Sequence, residues 1–592
     1  GIPVGVSWGT FLGKQFRKAA QDLGFDYIWF SNGFGYSYYP WSYRGELFKE
    51  EDFVWEKANE QREKTNRFWS DFKKACPDYP IEVRGTNFSI AMDLCSDGCS
   101  HKDIYRIGQL KRPPCNPPWG SRALGMEMTS YLSRLAKTPT KRLPFRFYLN
   151  DPWFTTNPWY DYYNREPYDI YIPLATARFT PQGRVETPTD LSLLTIDTHY
   201  GELLEEEALE VIPHLIRGFQ EKPDQAGPIV WVYPFDEYDQ ILKRFPDRLS
   251  YVFLSDYFIC QAINDGLPLN TVTNTQCMVT LARQKKLPTS IYLAPVPVMD
   301  TTYEEILLDY VTQGGKVIFY GPLTFASTRL LNFLNLELSP EPLEGDFMVD
   351  LGVQSDRFYQ PPYPPVGSDP ASEAVGNPSK SIATQAKSLK FRKRPLRHRS
   401  KVDGGGLRAI VKDWKDPDLK IIVRQGNKRR VYALIRKNKK WRGGMIGWIR
   451  GSTNINYKVK SLEASLDPPW LAQQPGSWLR YLLTDFGWQI LQERNSEVNR
   501  AVNLFIKRHR GAWYLVGHKP DTTVKFYLTT PDGVPVYPER ETLIKNGLAE
   551  ENFGKTIYQE IRVFVQCPDG IVKYKELPVN IGKKRHFCIS NL

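Results

Sequence analysis

One pattern recurs through the first 234 residues: a short apolar run, a polar or acidic residue closing it, an irregular loop, then a helical stretch. The apolar runs are 2–8 (IPVGVSW), 26–31 (DYIWFS), 81–87 (IEVRGTN), 145–150 (FRFYLN), 169–175 (DIYIPLA), 191–197 (LSLLTID) and 228–234 (PIVWVYP). Helical periodicity fills 10–23, 51–76, 121–136 and 202–219 between them. Strands alternating with helices predict an α/β layout. Asn32, Arg84 with Asn87, Asn150 with Asp151, Asp197 with His199, and Asp236 with Glu237 stand at the strand ends. In a (β/α)-barrel those ends build the active site. Asn and Asp also favour turns on their own account, but their recurrence favours a barrel over 1–238. A complete barrel takes ~250 residues, and this pattern begins in mid-course at Gly1, so a shortened barrel, incomplete at its N-terminal side or missing upstream sequence, is expected.

The loop after the second run is unusual. Phe34, Tyr36, Tyr38, Tyr39, Trp41 and Tyr43 crowd into 31–44 of a chain that is 14% aromatic. Rings at such a place plug a core or an interface, or offer flat walls on which sugar rings or bases stack. As a sugar platform the candidates are Trp29, Tyr36, Tyr38, Trp41, Trp153 and Trp159. Asn32, Arg84, Asn150, Arg178 and His199 would then hydrogen-bond hydroxyls.

At 592 residues the chain exceeds one core, so further domains are expected. Residues 239–340 stay α/β, with runs at 251–254, 270–274, 290–295 and 316–320, a helix near 255–265 and another from 302 that stops at Gly314-Gly315. This suggests a flavodoxin-like sheet, and it holds no phosphate-cradling G-x-G-x-x-G, so no nucleotide cofactor is indicated. Residues 341–406 read as a linker or excursion: 353–406 is rich in Pro, Ser and Gly and ends in the basic run KFRKRPLRHRSK. From 407 to 592 short strands and turn signals such as Asp532-Gly533 and Asp569-Gly570, broken by one helix at 477–493, predict a β-sandwich.

Barrel, flavodoxin-like domain and β-sandwich, in that order, resemble the clan-A glycoside hydrolases of the β-galactosidase type, where a glutamine-amidotransferase-like domain follows the barrel. The residues most similar to that middle domain are SIYLAPVPVMDTTYEEILLDYVTQGGKVIFYGP, 290–322. The resemblance implies hydrolysis of a carbohydrate by two carboxylates, roughly 5 Å apart when stereochemistry is retained. It also implies an Asn-Glu pair at the end of the fourth strand, whereas this sequence has Asn32-Gly33. Glu46, on the aromatic loop, is one substitute for the acid. TIDTHYGE (195–202) offers Asp197 and Glu202 as nucleophile, Glu202 doubling as a first-turn helix acid; Asp151 and Asp236 complete the set. The departure at Gly33 leaves open a barrel that serves as scaffold.

Charge supplies a competing reading. Residues 1–330 carry 35 Lys and Arg against 40 Asp and Glu, and 331–592 carry 43 against 26, so the basic excess of +12 lies wholly in the back half. Segments 390–401, 427–430, 437–442, 507–510 and 582–586 would form the stripe of a protein that binds an acidic glycan or nucleic acid without catalysis. No recognised nucleic-acid module accompanies them. Homo-oligomers are compatible with the aromatic loop. No apolar run approaches the ~20 residues that span a bilayer, so a soluble chain, cytoplasmic or secreted, is expected. Cys95-x3-Cys99-x-His101, with Cys115 beyond, lacks the C-x2-C spacing of a zinc knuckle and reads as thiols or a disulfide, with no metal assigned.

Overall fold

A computed structural model describes residues 2–30, 45–49, 52–83, 88–110, 124–137, 143–148, 168–194, 205–343, 347–349, 357–358, 407–425, 429–451, 475–494, 503–510, 512–518, 524–529, 544–545, 548–556 and 559–566. The chain is a mixed α/β protein with a large sheet rich in parallel strands.

The front begins with the helix expected at 10–23, but the strand expected at 2–8 is absent: residues 2–7 are turn and irregular backbone. Gly5 takes a left-handed φ of 85°, and the Ser7 side chain accepts a hydrogen bond from the Thr10 amide, capping helix Trp8–Leu23. The helix stops at Gly24 in the left-handed region. It lies so close to helix Ala58–Ala75 that a Cβ on Gly9 would stand 2.3 Å from the Phe68 carbonyl, and one on Gly13 2.6 Å from that of Phe72. Strand Ile28–Phe30 pairs in parallel with Ile81–Val83 across the second of these helices, which makes a βαβ unit. Phe30 packs edge-on against Trp69 and Phe72 in the small core beneath. A second parallel pair joins Pro144–Tyr148 to Asp190–Leu194. Among the described residues the two pairs remain separate two-stranded sheets. The run at 169–175 is also helical, Tyr168–Leu174, with Pro173 inside it.

The middle of the chain builds the main sheet. Five of its six parallel strands run in the spatial order Thr271–Asn274, Ile229–Tyr233, Ile291–Pro295, Lys316–Tyr320, Met445–Ile449, and the short sixth, Ala177–Phe179, lies parallel beside Thr271–Asn274. In order of appearance this is 2-1-3-4-5, the doubly wound arrangement. Two expectations change here. Ile229–Tyr233, read from sequence as the last front strand, is the central-layer strand of this sheet. Met445–Ile449, read as part of a β-sandwich, is its fifth strand; Val431–Lys437, Leu419–Gln425 and Phe347–Val349 extend the same edge antiparallel, and Ala177–Phe179 with Val185–Glu186 extend the other, giving ten strands.

Alternation decides which way each strand residue faces. Val230, Val232, Tyr292, Ala294, Val317 and Phe319 join helices Thr275–Arg283, Thr302–Thr312 and Thr328–Leu334 on one side. Trp231, Tyr233, Leu293, Ile318 and Tyr320 face helix Leu249–Asn264 on the other. Every residue of that helix is buried, between the sheet, the front helices and helix Pro475–Asp485. Such strands read as unbroken apolar runs because both faces are covered.

Behind, the helix expected at 477–493 ends at Asp485; Gly487 turns at φ 104° and Gln489–Arg494 is a strand. That strand belongs to a six-stranded mixed sheet in which Val524–Thr529 pairs in parallel with Gln559–Gln566. The antiparallel sandwich is not seen among the described residues.

Candidate active site

The front strands leave their sheets in matched pairs. In the first, Phe30 lies opposite Val83, so the aromatic loop and the Arg84 loop depart side by side. In the second, Tyr148 lies opposite Leu194. Asp151 and Asp197 each follow three residues later. Asn32, Tyr36, Trp41, Arg84, Asn150, Asp151, Trp153, Asp197, His199 and Glu202 lie outside the described residues, as do Tyr38 and Trp159.

Four candidates fall within them. Trp29 sits half-buried in strand Ile28–Phe30. Glu46 is half-buried in the turn before Phe48, over the end of helix Ile90–Asp97: the Leu47 amide donates to the Ser96 carbonyl, and a Cβ on neighbouring Gly45 would meet Asp97 Oδ1. Arg178 is taken up by structure. Its guanidinium bonds Glu186 Oε2 at 2.9 and 3.1 Å and the Leu135 carbonyl at 3.1 Å, so it is not offered to a substrate hydroxyl.

Asp236 opens helix Phe235–Arg244 at the end of a middle-sheet strand, not a barrel strand. Burial disfavours its charge, but Lys137 at 2.7 Å and Lys102 at 2.9 Å outweigh that and hold its carboxyl below the usual range. It belongs to an ionic seam between front and middle. Asp103 meets Arg62 at 3.0 Å and Lys243 at 3.1 Å, Lys243 also holds Asp239 at 2.7 Å, and buried Asp93 bonds His101 at 2.9 Å and Arg134 at 3.3 Å. Burial opposes the Asp103 charge too, and Lys243 and Arg62 reverse the balance. A carboxylate so committed is a poor acid catalyst, because its proton affinity is set too low.

Two other acids, half-buried Glu237 and fully buried Asp256, show the opposite shift. Burial raises Glu237, which accepts a hydrogen bond from Thr275 Oγ1 at 2.7 Å. Burial raises Asp256 to about 7, although Ser89 and Tyr233 favour its charged form. Asp256 interrupts the apolar stretch YVFLSDYFIC, and that lone acid was the sequence signal for it. Its Oδ2 accepts from the Tyr233 hydroxyl at 3.1 Å, and that hydroxyl accepts from the Ala91 amide at 3.0 Å.

Of the cysteine cluster, Cys115 lies outside the described residues. Cys95 and Cys99 are buried free thiols donating to the carbonyls of Leu249 and Asp97, and no group of three metal-ligating side chains occurs among the described residues. Of the basic segments, 390–401 and 582–586 lie outside the described residues. Lys507 is 1% exposed and donates to the Glu221 carbonyl, whereas Lys437, Lys439, Lys440 and Arg442 are exposed. No helix among the described residues is long and apolar enough to cross a membrane.

Paired parallel strands ahead of a doubly wound sheet define a mixed α/β protein, and most of the candidate site residues follow the front strands in sequence. No protein-family model and no curated protein matches the chain. Among solved structures it is similar to a catalytic mutant of Gan42B, a GH42 beta-galactosidase from G. stearothermophilus, at 10% identity and a TM-score of 0.38, over 80% of this chain and 63% of that one. It is also similar to the beta-galactosidase of Rahnella sp. R3, at 9% identity and a TM-score of 0.36, over 89% and 69%. A third is the beta-galactosidase from psychrophilic Marinomonas ef1, at 9% and 0.34, over 89% and 70%. The chain thus spans less than two thirds of the Gan42B mutant.

Proposed function

We propose that the chain is a glycoside hydrolase that cleaves a carbohydrate through two carboxylates on the front loops, with retention of stereochemistry. The carrying observation is the parallel register Tyr148↔Leu194, from which Asp151 and Asp197 follow at equal distance along the chain. Neighbouring strands lie ~4.8 Å apart, and the two carboxyls of a retaining enzyme ~5–5.5 Å apart. Equal exits from neighbouring strands suit that spacing. Asp197 is the proposed nucleophile, attacking the anomeric carbon. Asp151 is the proposed acid, protonating the departing oxygen and then taking a proton from the water that releases the sugar. Glu202 is the alternative nucleophile and Glu46 the alternative acid. Rings of the 31–44 loop would stack on the sugar, since that loop leaves beside the Arg84 loop.

Assays on a panel of nitrophenyl glycosides test this. Asp197→Asn and Asp151→Asn should each lower kcat by ~10³-fold or more. Azide should restore turnover in the nucleophile variant alone. The reading fails if the wild-type chain cleaves none of the panel, or if both variants keep ~10% or more of wild-type kcat.

A further inference from the structure

Helix Ile90–Asp97 starts on side chains from three places. The Ile90 amide donates to Ser133 Oγ of helix Leu124–Lys137 at 3.2 Å, and the Ala91 amide to the Tyr233 hydroxyl of the main sheet at 3.0 Å. The Met92 amide donates to the helix's own cap, Ser89 Oγ, at 3.2 Å. First-turn amides have no partner inside a helix, so these side chains decide where it sits. Two of them converge on one acid. The Tyr233 hydroxyl donates to Asp256 Oδ2 at 3.1 Å, and Ser89 bonds the same carboxyl. One hydrogen-bonded chain therefore runs from the middle of helix Leu249–Asn264, through strand Ile229–Tyr233, to the start of a front helix.

Asp256 is fully buried, and among the described residues no cation reaches its carboxyl. The titratable groups that face it are Cys95 of helix Ile90–Asp97, Tyr233 and Tyr320 of the sheet, and Tyr238 of helix Phe235–Arg244, all held neutral by burial. Charges on the packed helices are engaged elsewhere. Arg134 of helix Leu124–Lys137 bonds the Phe88 carbonyl at 2.7 Å and Asp93 at 3.3 Å, and Asp93 also holds His101. In helix Phe235–Arg244, Asp236 meets Lys102 and Lys137, Asp239 meets Lys243, and Glu237 accepts from Thr275. Arg248 lies between the rings of Phe245 and Phe325, and Arg480 of helix Pro475–Asp485 bonds the carbonyls of Asp265 and Ile490.

An ionised carboxyl sealed without a cation is costly, so the closed structure keeps the proton and an opening that wets the group releases it to water. Burial sets the closed-state value at about 7, against the ordinary 3.8. Each pH unit between the two makes the wet state up to about tenfold easier to reach. Helix Ile90–Asp97 is the shortest helical wall, with 8 residues against 16 in Leu249–Asn264 and 14 in Leu124–Lys137. Strand Ile229–Tyr233, by contrast, is held by a neighbour on each side. We propose that helix Ile90–Asp97 is a pH-sensitive latch between the front of the chain and the main sheet, seated while Asp256 is protonated and released when it ionises. Release uncovers the Ala91 amide while the sheet stays folded.

Hydrogen exchange of the full chain, followed by mass spectrometry on peptides covering 89–97 and corrected for the intrinsic rate, tests this. Protection should fall about tenfold or more between about pH 5 and about pH 7, and should stay within about twofold in Asp256→Asn. The same peptides should exchange faster than strand Ile229–Tyr233 and hold their rate in low urea, as a local opening does. Tyr233→Phe removes the acceptor of the Ala91 amide and should lower their protection about fivefold at about pH 5. A flat wild-type profile, or a fall that survives in Asp256→Asn, overturns the proposal. So does exchange of these peptides only in step with the strand, or protection in Tyr233→Phe within about twofold of wild type.

Discussion

The front and middle of this chain use the same βαβ grammar to different ends. In the middle, Trp231, Tyr233, Leu293 and Tyr320 are sealed between sheet and helix, and nearly every acid near a strand end is paired or buried. In the front, the described strands form short pairs, the parallel Ile28–Phe30/Ile81–Val83 and Pro144–Tyr148/Asp190–Leu194 and the antiparallel Phe48–Lys49/Asp52–Phe53, and the ends of the parallel pairs lead into loops rich in aromatic and acidic residues. Burial on both faces leaves a strand end little freedom to vary. A pair of strands with long loops leaves its ends open to chemistry, as loops on rigid scaffolds usually are.

The contrast can be broken by substitution. Asp197→Asn should remove activity while moving the urea unfolding midpoint little; a large fall in the midpoint would make Asp197 structural. Trp231→Ala should do the converse. It empties a fully buried indole site and removes the 2.8 Å hydrogen bond to Tyr320, for a loss of ~3–5 kcal/mol in urea unfolding. Asp103→Ala, at the seam, should cost ~2–4 kcal/mol because Arg62 and Lys243 would be left facing each other. A loss under ~0.5 kcal/mol would mean that the seam is a set of independent surface pairs.

Asp256 sharpens the comparison through pH. Its folded-state pKa, about 7, lies above the ordinary 3.8, so the native chain holds this proton longer than the unfolded chain. Stability should therefore fall as pH rises from about 4 to about 7 and level off above. Asp103 and Asp236 are shifted the other way; their contribution is present above the ordinary carboxylate range and lost as acid titrates them. Asp256→Asn should remove the decline between pH 4 and 7 and be more stable than wild type at pH 8, on the order of a few kcal/mol at most. Unfolding midpoints at three pH values decide this; an unchanged slope would count against the assignment. The smallest effect belongs to the front: Ser7→Ala removes one cap and should cost ~1 kcal/mol.

Legibility in the sequence followed burial. Amphipathic helices such as Ala58–Ala75 and Glu205–Gln220 announce themselves because one face meets water. YVFL at 251–254 read as a strand because in Leu249–Asn264 every face is buried, and a helix with no wet side has no period to detect. DIYIPLA misled in a similar way, since its apolar run and Pro173 suit a strand edge as well as a short helix. The end of the helix before Gly487 was written in FGW, where Trp488 donates back to the Leu483 carbonyl. For the candidate site, Asp236 and Arg178 looked alike to Asp151 and Asn150 in one dimension. What separates them is Lys102, Lys137 and Glu186, and in Lys102 and Lys137 the partners come from segments about 100 residues or more away. Partners that remote leave no local trace.

Met445–Ile449 carries a consequence for biosynthesis. It seals the free edge of Lys316–Tyr320, but a ribosome adding ~5–20 residues per second must make roughly 125 more residues before it arrives. For something like 6–25 s the nascent sheet shows an apolar, unpaired rim. Translation that stalls in this interval would release a chain prone to stick to its neighbours.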